Sequence, residues 1–261
     1  MVSLINCIQN SALNMYENLT LTEWIVTAVA AFTLGISKAG LKGIAIIIVT
    51  IMALVFGSKA STGVVMPLLV FGDIFAIIYY RRHVHWKYLA KLLPWILAGV
   101  LIGVYAGKDI PEDYFKKGMS VIILISVFLL IWMDRGKKHR IPHKIWFGAS
   151  LGLAAGFATM IGNLAGAFSN IYFLAMKLPK NVFIGTAAWL FFFVNLFKLP
   201  FHIWVWKTIT IDSFIINLGL FPFMLAGLLI GVKIVALIRD FSYRRLILLL
   251  TGIGALIIFF R

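Results

Sequence analysis

Apolar residues run along this chain in ten blocks: 24–34, 44–56, 60–80, 89–106, 119–133, 145–160, 168–175, 182–197, 214–237 and 246–260. A helix needs about 20 apolar residues to cross a bilayer core, fewer where neighbouring helices or local thinning help. Blocks 60–80, 89–106, 182–197 and 214–237 read as full spans. Blocks 24–34, 44–56 and 168–175 are short, and a Gly-rich polar break separates each from its neighbour. The pairs 24–34/44–56 and 145–160/168–175 are therefore expected to be tight helical pairs that turn inside a membrane. Whether each pair crosses or re-enters stays open at this level.

Composition agrees with that pattern. Apolar residues make up 62% of the chain, against roughly 45–50% in soluble domains. Only 13% are charged, about half the usual share. A soluble chain of 261 residues could not hide so much apolar surface and still cover itself with charge. A soluble enzyme, a disordered chain and a disulfide scaffold are excluded, which leaves a polytopic all-α membrane protein. A net charge of +15 would suggest nucleic acid in a soluble protein, but here the basic residues fall mostly between apolar blocks, as in cytoplasmic membrane loops. Tyr79, Tyr80, Trp86, Trp132, Trp146, Trp204 and Trp206 stand at block ends and suit an interfacial belt. Cys7 is the single cysteine and cannot close an internal disulfide. Residues 1–23 hold Glu17 and Glu23 and no Lys or Arg, so the first block is expected to insert and stay rather than act as a cleaved signal.

The chain also repeats itself. Pro94-Trp-Ile-Leu-Ala-Gly-Val-Leu-Ile-Gly-Val104 returns as Pro222-Phe-Met-Leu-Ala-Gly-Leu-Leu-Ile-Gly-Val232, with 8 matches in 11 at an offset of 128. Smaller matches keep the same order: His85-Trp-Lys87 with Val205-Trp-Lys207, Phe115-Lys-Lys117 with Tyr243-Arg-Arg245, and Gly35 with Gly156 before the two breaks. The expected organisation is an extracytoplasmic segment over 1–23, a first repeat over 24–133, a basic cytoplasmic loop over 134–144 and a second repeat over 145–261. Each half has five blocks, or three crossings if its broken pair re-enters. Both counts are odd, so the second half is expected upside down relative to the first. Inverted-topology repeats of this kind build many secondary transporters. With the N-terminus outside and every block crossing, 17 of the 24 Lys and Arg face inward and 7 outward. That balance favours this orientation. It becomes 15 to 7 if the first pair re-enters.

Charged and amide groups at bilayer depth cost roughly 2.5–3.5 kcal/mol each on insertion scales, so they ask for a reason. In the first break, Gly35-Ile-Ser-Lys-Ala-Gly-Leu-Lys-Gly43, Ser37 and Lys38 supply side-chain donors and Gly40 permits close backbone approach. The amide end of the next helix would add positive potential. This can cradle a small oxyanion; the plainer alternative is an ordinary inner loop. The second break, Gly156-Phe-Ala-Thr-Met-Ile-Gly-Asn-Leu-Ala-Gly166, offers Thr159, Asn163 and the backbone of Gly162 and Gly166. In an inverted repeat the two breaks would meet near the midplane. For Asn163 a helix cap or an interhelical bond is the alternative. Asp73 is the one acid inside a clear span, and could either carry a proton or pair permanently with Lys38 or Lys59. Asn195 stands at the nearly matching point of 182–197. Lys198 is expected to snorkel. His139/His143 and His83/His85 lack a supporting Cys or carboxylate cluster, so no metal or other cofactor is expected. Pro94 and Pro222 are expected to kink or start their helices.

The breaks and their flanks resemble the sulfite exporter TauE/SafE family. In the first half the resemblance lies in Gly35-Ile-Ser-Lys-Ala-Gly40, Asp73 and Tyr80-Arg81. In the second half it lies in 156–166, Tyr172-Phe-Leu-Ala-Met-Lys-Leu-Pro-Lys180 and Gly185-Thr-Ala-Ala-Trp-Leu-Phe-Phe-Phe-Val-Asn195-Leu-Phe-Lys-Leu-Pro200. It covers almost all of the chain from about residue 24. Ala39, Lys42 and Ala167 depart from the family's usual pattern. The resemblance implies an exporter of small sulfur-containing anions such as sulfite or organosulfonates, in a bacterial cytoplasmic (inner) membrane. The residues alone reach a transporter with an electropositive centre, partnered by lipid and a small anion. A proton is the candidate coupling ion. A passive anion channel is the alternative; an intramembrane enzyme or assembly factor would need paired catalytic groups at depth that one aspartate and scattered serines do not supply. No Walker pattern occurs, which argues against pumping by this chain alone.

Overall fold

The computed structural model of the chain describes residues 19–42, 44–135 and 145–239, with isolated positions between 242 and 249. Block 246–260 falls largely, and Cys7, His139 and His143 fall wholly, outside the described residues. The described chain is helical: α1 (Leu21–Lys38), α2 (Ala45–Phe56), α3 (Ser58–Val64), α4 (Met66–Tyr80), α5 (Trp86–Gly107), α6 (Glu112–Arg135), α7 (Ile145–Gly162), α8 (Ala165–Ala175), α9 (Lys180–Pro200) and α10 (Ile211–Leu237). A π-turn, Phe201–Val205, extends α9. Within it the Trp206 amide donates to Phe201 O, five residues back.

Local chemistry sets the ends. Thr20 and Glu23 form a capping box at α1, and Thr210 and Ser213 one at α10. Among the described residues five spans are long and apolar enough to cross a membrane: Leu21–Lys38, Trp86–Gly107, Ile145–Gly162, Lys180–Val205 and Ile211–Leu237. Block 60–80, expected as one straight span, is instead divided between α3 and α4. The sharp bend, 111°, lies between Ile47–Phe56 and Ser58–Val64. Gly57 makes the turn with φ 83, a conformation glycine adopts without a side-chain clash. The Glu112 carboxylate, at the start of α6, then accepts from the amides of Ser58 and Lys59 and caps α3. Pro94 and Pro222 lie inside α5 and α10.

Two close helix crossings organise the rest. A methyl on Gly227 of α10 would collide with Phe32 O of α1, and one on Gly156 of α7 with Ile96 O of α5. Small residues let backbones approach this closely. Both pairs run parallel. Trp24 sits by Gly219 and Ile36 by Gly231, while Leu92 lies by Gly152 and Met160 by Gly103.

Side-chain contacts sort the helix ends into two groups. At one end, Thr186 accepts from the His85 amide and Lys180 donates to Val235 O and Ile238 O. This brings together the start of α5, the start of α9 and the end of α10. At the other end, Lys59 donates to Lys108 O, Trp206 to Val104 O, and Asn217 to Val64 O. There the end of α5 meets the start of α10, so the two helices that share the repeated Pro-to-Gly-Val sequence run in opposite senses. The outer surface is apolar, with Ile25, Val29, Ile102 and Leu229 exposed, whereas Lys38, Lys42, Asp73, Asn195 and Lys198 are buried. Apolar outside and charged inside is the arrangement of a chain solvated by lipid.

Candidate functional site

The first break is a closed helix end. Gly40 takes φ 134, and its amide donates to Ser37 O at 3.2 Å while the Leu41 amide donates to Ile36 O at 3.3 Å. This is a Schellman-type pair, with glycine just past the last helical turn. Tyr80 donates to Ala39 O at 2.8 Å and Tyr243 to Gly40 O at 2.5 Å, so the carbonyls freed by the break are held by phenols. Ser37 and Lys38 are buried in the last turn of α1. The Lys38 ammonium lies 2.5 Å from Asp73 Oδ1. Asp73 Oδ2 accepts from Asn195 Nδ2 at 2.6 Å. Of the two lysines expected as partners for Asp73, the structure selects Lys38; Lys59 turns to the Lys108 carbonyl.

The second break ends α7 at Gly162. Asn163 follows with φ 55, the left-handed region that asparagine tolerates better than most residues. Its Nδ2 donates to Thr62 O of α3 at 3.0 Å. Its Oδ1 accepts from the Lys198 ammonium at 2.6 Å, and Thr159 Oγ1 accepts from the same ammonium at 3.1 Å. Gly166 lies in the first turn of α8, a helix whose start no side chain caps.

One face of α9 joins the two breaks. Phe191, Asn195 and Lys198 are spaced four and three apart, which stacks them on a single helical stripe. Asn195 reaches Asp73, and Lys198 reaches Thr159 and Asn163. The Phe191 ring has the Lys42 ammonium 5.1 Å and the Lys38 ammonium 5.7 Å from its centre. A methyl on Gly166 would stand 3.9 Å from the same ring. Residues of both breaks thus gather round one aromatic side chain.

The chain matches the sulfite exporter TauE/SafE family over residues 27–258. It belongs to that family. No curated protein and no solved structure matches it. Membership makes this TauE/SafE protein a multi-pass integral membrane protein of a transporter family.

Sequence reasoning missed four residues of this buried cluster. Lys198, expected to snorkel to an interface, is fully buried. The π-turn is the reason: it carries the span on to Val205, so Lys198 is no longer near a helix end. Phe191 looked like one more aromatic in an apolar block. Thr62 contributes only a carbonyl, which side-chain type cannot announce. Gly72 leaves room for the Lys38 stem, since a methyl there would stand 2.8 Å from Lys38 Cγ. The one available signal was spacing: Asn195 and Lys198 share a helical face, and an amide and an ammonium three apart invite a common role.

Proposed function

We propose that this protein is a secondary transporter that exports a small sulfur-containing anion, sulfite or an organosulfonate, bound between the two helix breaks. The observation that carries this reading is a buried centre of three lysines and one aspartate, with Thr159, Asn163 and Asn195 as neutral partners. Its formal charge with all lysines protonated is +2, which an anion stripped of water would offset. Ser37, Lys38 and Gly40 on one side, and Thr159, Gly162, Asn163 and Gly166 on the other, form the seat. Asp73 and Asn195 govern coupling or gating, with a proton as the coupling ion. Transport of an ion through such a centre needs no catalytic pair.

The opposed senses of α5 and α10, and the exchange of partners between the halves, support an inverted repeat. In each case a repeated helix packs against the break helix of the other half. Two such halves rocking about a shared site give alternating access.

The test is sulfite flux in proteoliposomes under an imposed pH gradient. Lys38→Ala and Asn163→Ala are both expected to lower it. Wild-type flux in both variants would move the seat elsewhere. Asp73→Asn is expected to abolish the dependence on the gradient, and an intact dependence would remove the proton from Asp73.

A further inference from the structure

The three buried lysines are not equivalent. Lys38 has a carboxylate at 2.5 Å, so its charge is already matched within the protein. Lys42 faces the Phe191 ring. Lys198, with no exposed surface, donates to a threonine hydroxyl and an asparagine carbonyl, both neutral. An ammonium has three N–H donors; these two oxygens take two and leave one. A buried cation held only by neutral dipoles lacks the counter-charge that would make its burial favourable.

We infer that Lys198 is the counter-ion of the transported anion and that the second break, at Thr159 and Asn163, is where an anionic oxygen docks. This rests on the transport reading above and deepens it by assigning the charge. The first break then shapes its side of the seat without adding an unmatched charge. Its glycine amide is spent within the helix end, its carbonyls are tied to Tyr80 and Tyr243, and its lysine is tied to Asp73. At the second break the Asn163 amide group is fixed by Thr62 O on one side and offers its oxygen to Lys198 on the other. An incoming sulfonyl or sulfite oxygen would take the free N–H of Lys198, or displace one neutral acceptor from it. A charge-assisted bond then replaces a weaker one.

The experiment is thermal unfolding of the purified full chain in detergent, titrated with sulfite and, in parallel, with methanesulfonate, together with sulfite KM in proteoliposomes. Lys198→Gln is expected to raise the apparent Kd and the KM about 30-fold or more, the loss that follows removal of one member of a buried charge pair. Lys198→Arg keeps the charge and is expected to retain binding. Asn163→Asp is the sharper variant. It places a carboxylate against Lys198 in the same shape, as Asp73 stands against Lys38. The exchange forfeits the Nδ2 donation to Thr62 O, so its melt is read against Asn163→Ala, which loses the same bond: without anion it is expected to melt above Asn163→Ala, while the sulfite-induced shift disappears. The exchange Lys38→Gln/Asp73→Asn removes no net charge and is expected to raise the apparent Kd less than Lys198→Gln does. Wild-type affinity in Asn163→Asp or in Lys198→Gln overturns the assignment, as does a larger loss of binding in the Lys38/Asp73 exchange than in Lys198→Gln. A wild-type protein that neither binds nor moves sulfite or methanesulfonate removes the transport reading itself, and Lys198 with it.

Discussion

Asp73 shows what a single residue decides in this fold. Both its oxygens are occupied, one by the Lys38 ammonium and one by the Asn195 amide. Asp73→Leu would leave Lys38 buried and unmatched, and breaking a buried pair from one side costs about 3–5 kcal/mol. Removing both charges, as in Lys38→Met/Asp73→Leu, is expected to recover most of that loss, because an apolar pair of similar volume needs no desolvation. Unfolding of the two variants in detergent, compared with Lys38→Met alone as a double-mutant cycle, measures the difference; equal losses in the single and double variants would make the pair energetically idle. Asp73 was legible from the sequence because an acid inside a clear apolar span is costly whatever the fold. Its partner was legible only as a choice between two lysines, since α1 and α4 are brought together by packing that block lengths do not describe. Asn195 was legible for the same reason as Asp73. Lys198 was not, because a lysine followed within two residues by proline reads as a helix end.

The bend at Gly57 is the element on which the second break depends. α3 is seven residues long, too short to persist unaided. It is held at its start by Glu112 from α6, and it delivers the Thr62 carbonyl to Asn163. Glu112→Ala is expected to cost about 0.5–2 kcal/mol, the value of a helix cap, and to lower transport through Asn163 although Glu112 touches no site residue. Glu112→Gln keeps an acceptor oxygen and is expected to fall between the two. Sulfite flux and melting of the two variants check this; unchanged flux in Glu112→Ala would uncouple α3 from the site. The apolar blocks disclosed most helices within a few residues of their observed bounds. They did not disclose that block 60–80 belongs to two helices. Hydropathy is unchanged through a bend, and the cap that fixes this one comes from a residue 54 positions away. Gly57 stands at the turn and Pro200 at the passage into the π-turn, and residue type alone does not say whether the chain bends or continues there.

At the scale of the molecule, the helix ends carry the orientation. Arg81, Arg82, Lys87, Lys177, Lys180 and Arg239 lie at the end where α5 and α9 begin and α10 finishes. Asp109, Glu112, Asp113 and Asp212 lie at the other, together with Lys59, Lys108, Lys116, Lys117 and Lys207, so the first end, which also holds Lys91 and Lys233, carries more cations and none of these four acids. Lys and Arg near span ends hold those ends in the cytoplasm, while acids contribute little. The basic end is therefore proposed to be cytoplasmic. Since α1 runs parallel to α10 and starts beside Gly219, the start of α1 is then extracytoplasmic, the orientation that the charge distribution along the sequence favours. The sequence reached this through parity of blocks and counting of charges. It could not show that each repeated helix would pack in parallel on the other half's break helix, because glycine spacing reveals a packing face but not its partner. Cysteine labelling decides the orientation. In a Cys7→Ser background, Arg82→Cys and Lys177→Cys, both exposed positions, are expected to resist a membrane-impermeant maleimide applied to intact cells and to react after permeabilisation. Asp109→Cys, exposed at the opposite end, is expected to react in intact cells. The reverse pattern would turn the protein over in the membrane. Asp109→Cys and Arg82→Cys labelling from the same side would be worse for the architecture, because α5 joins those two positions and would then fail to cross.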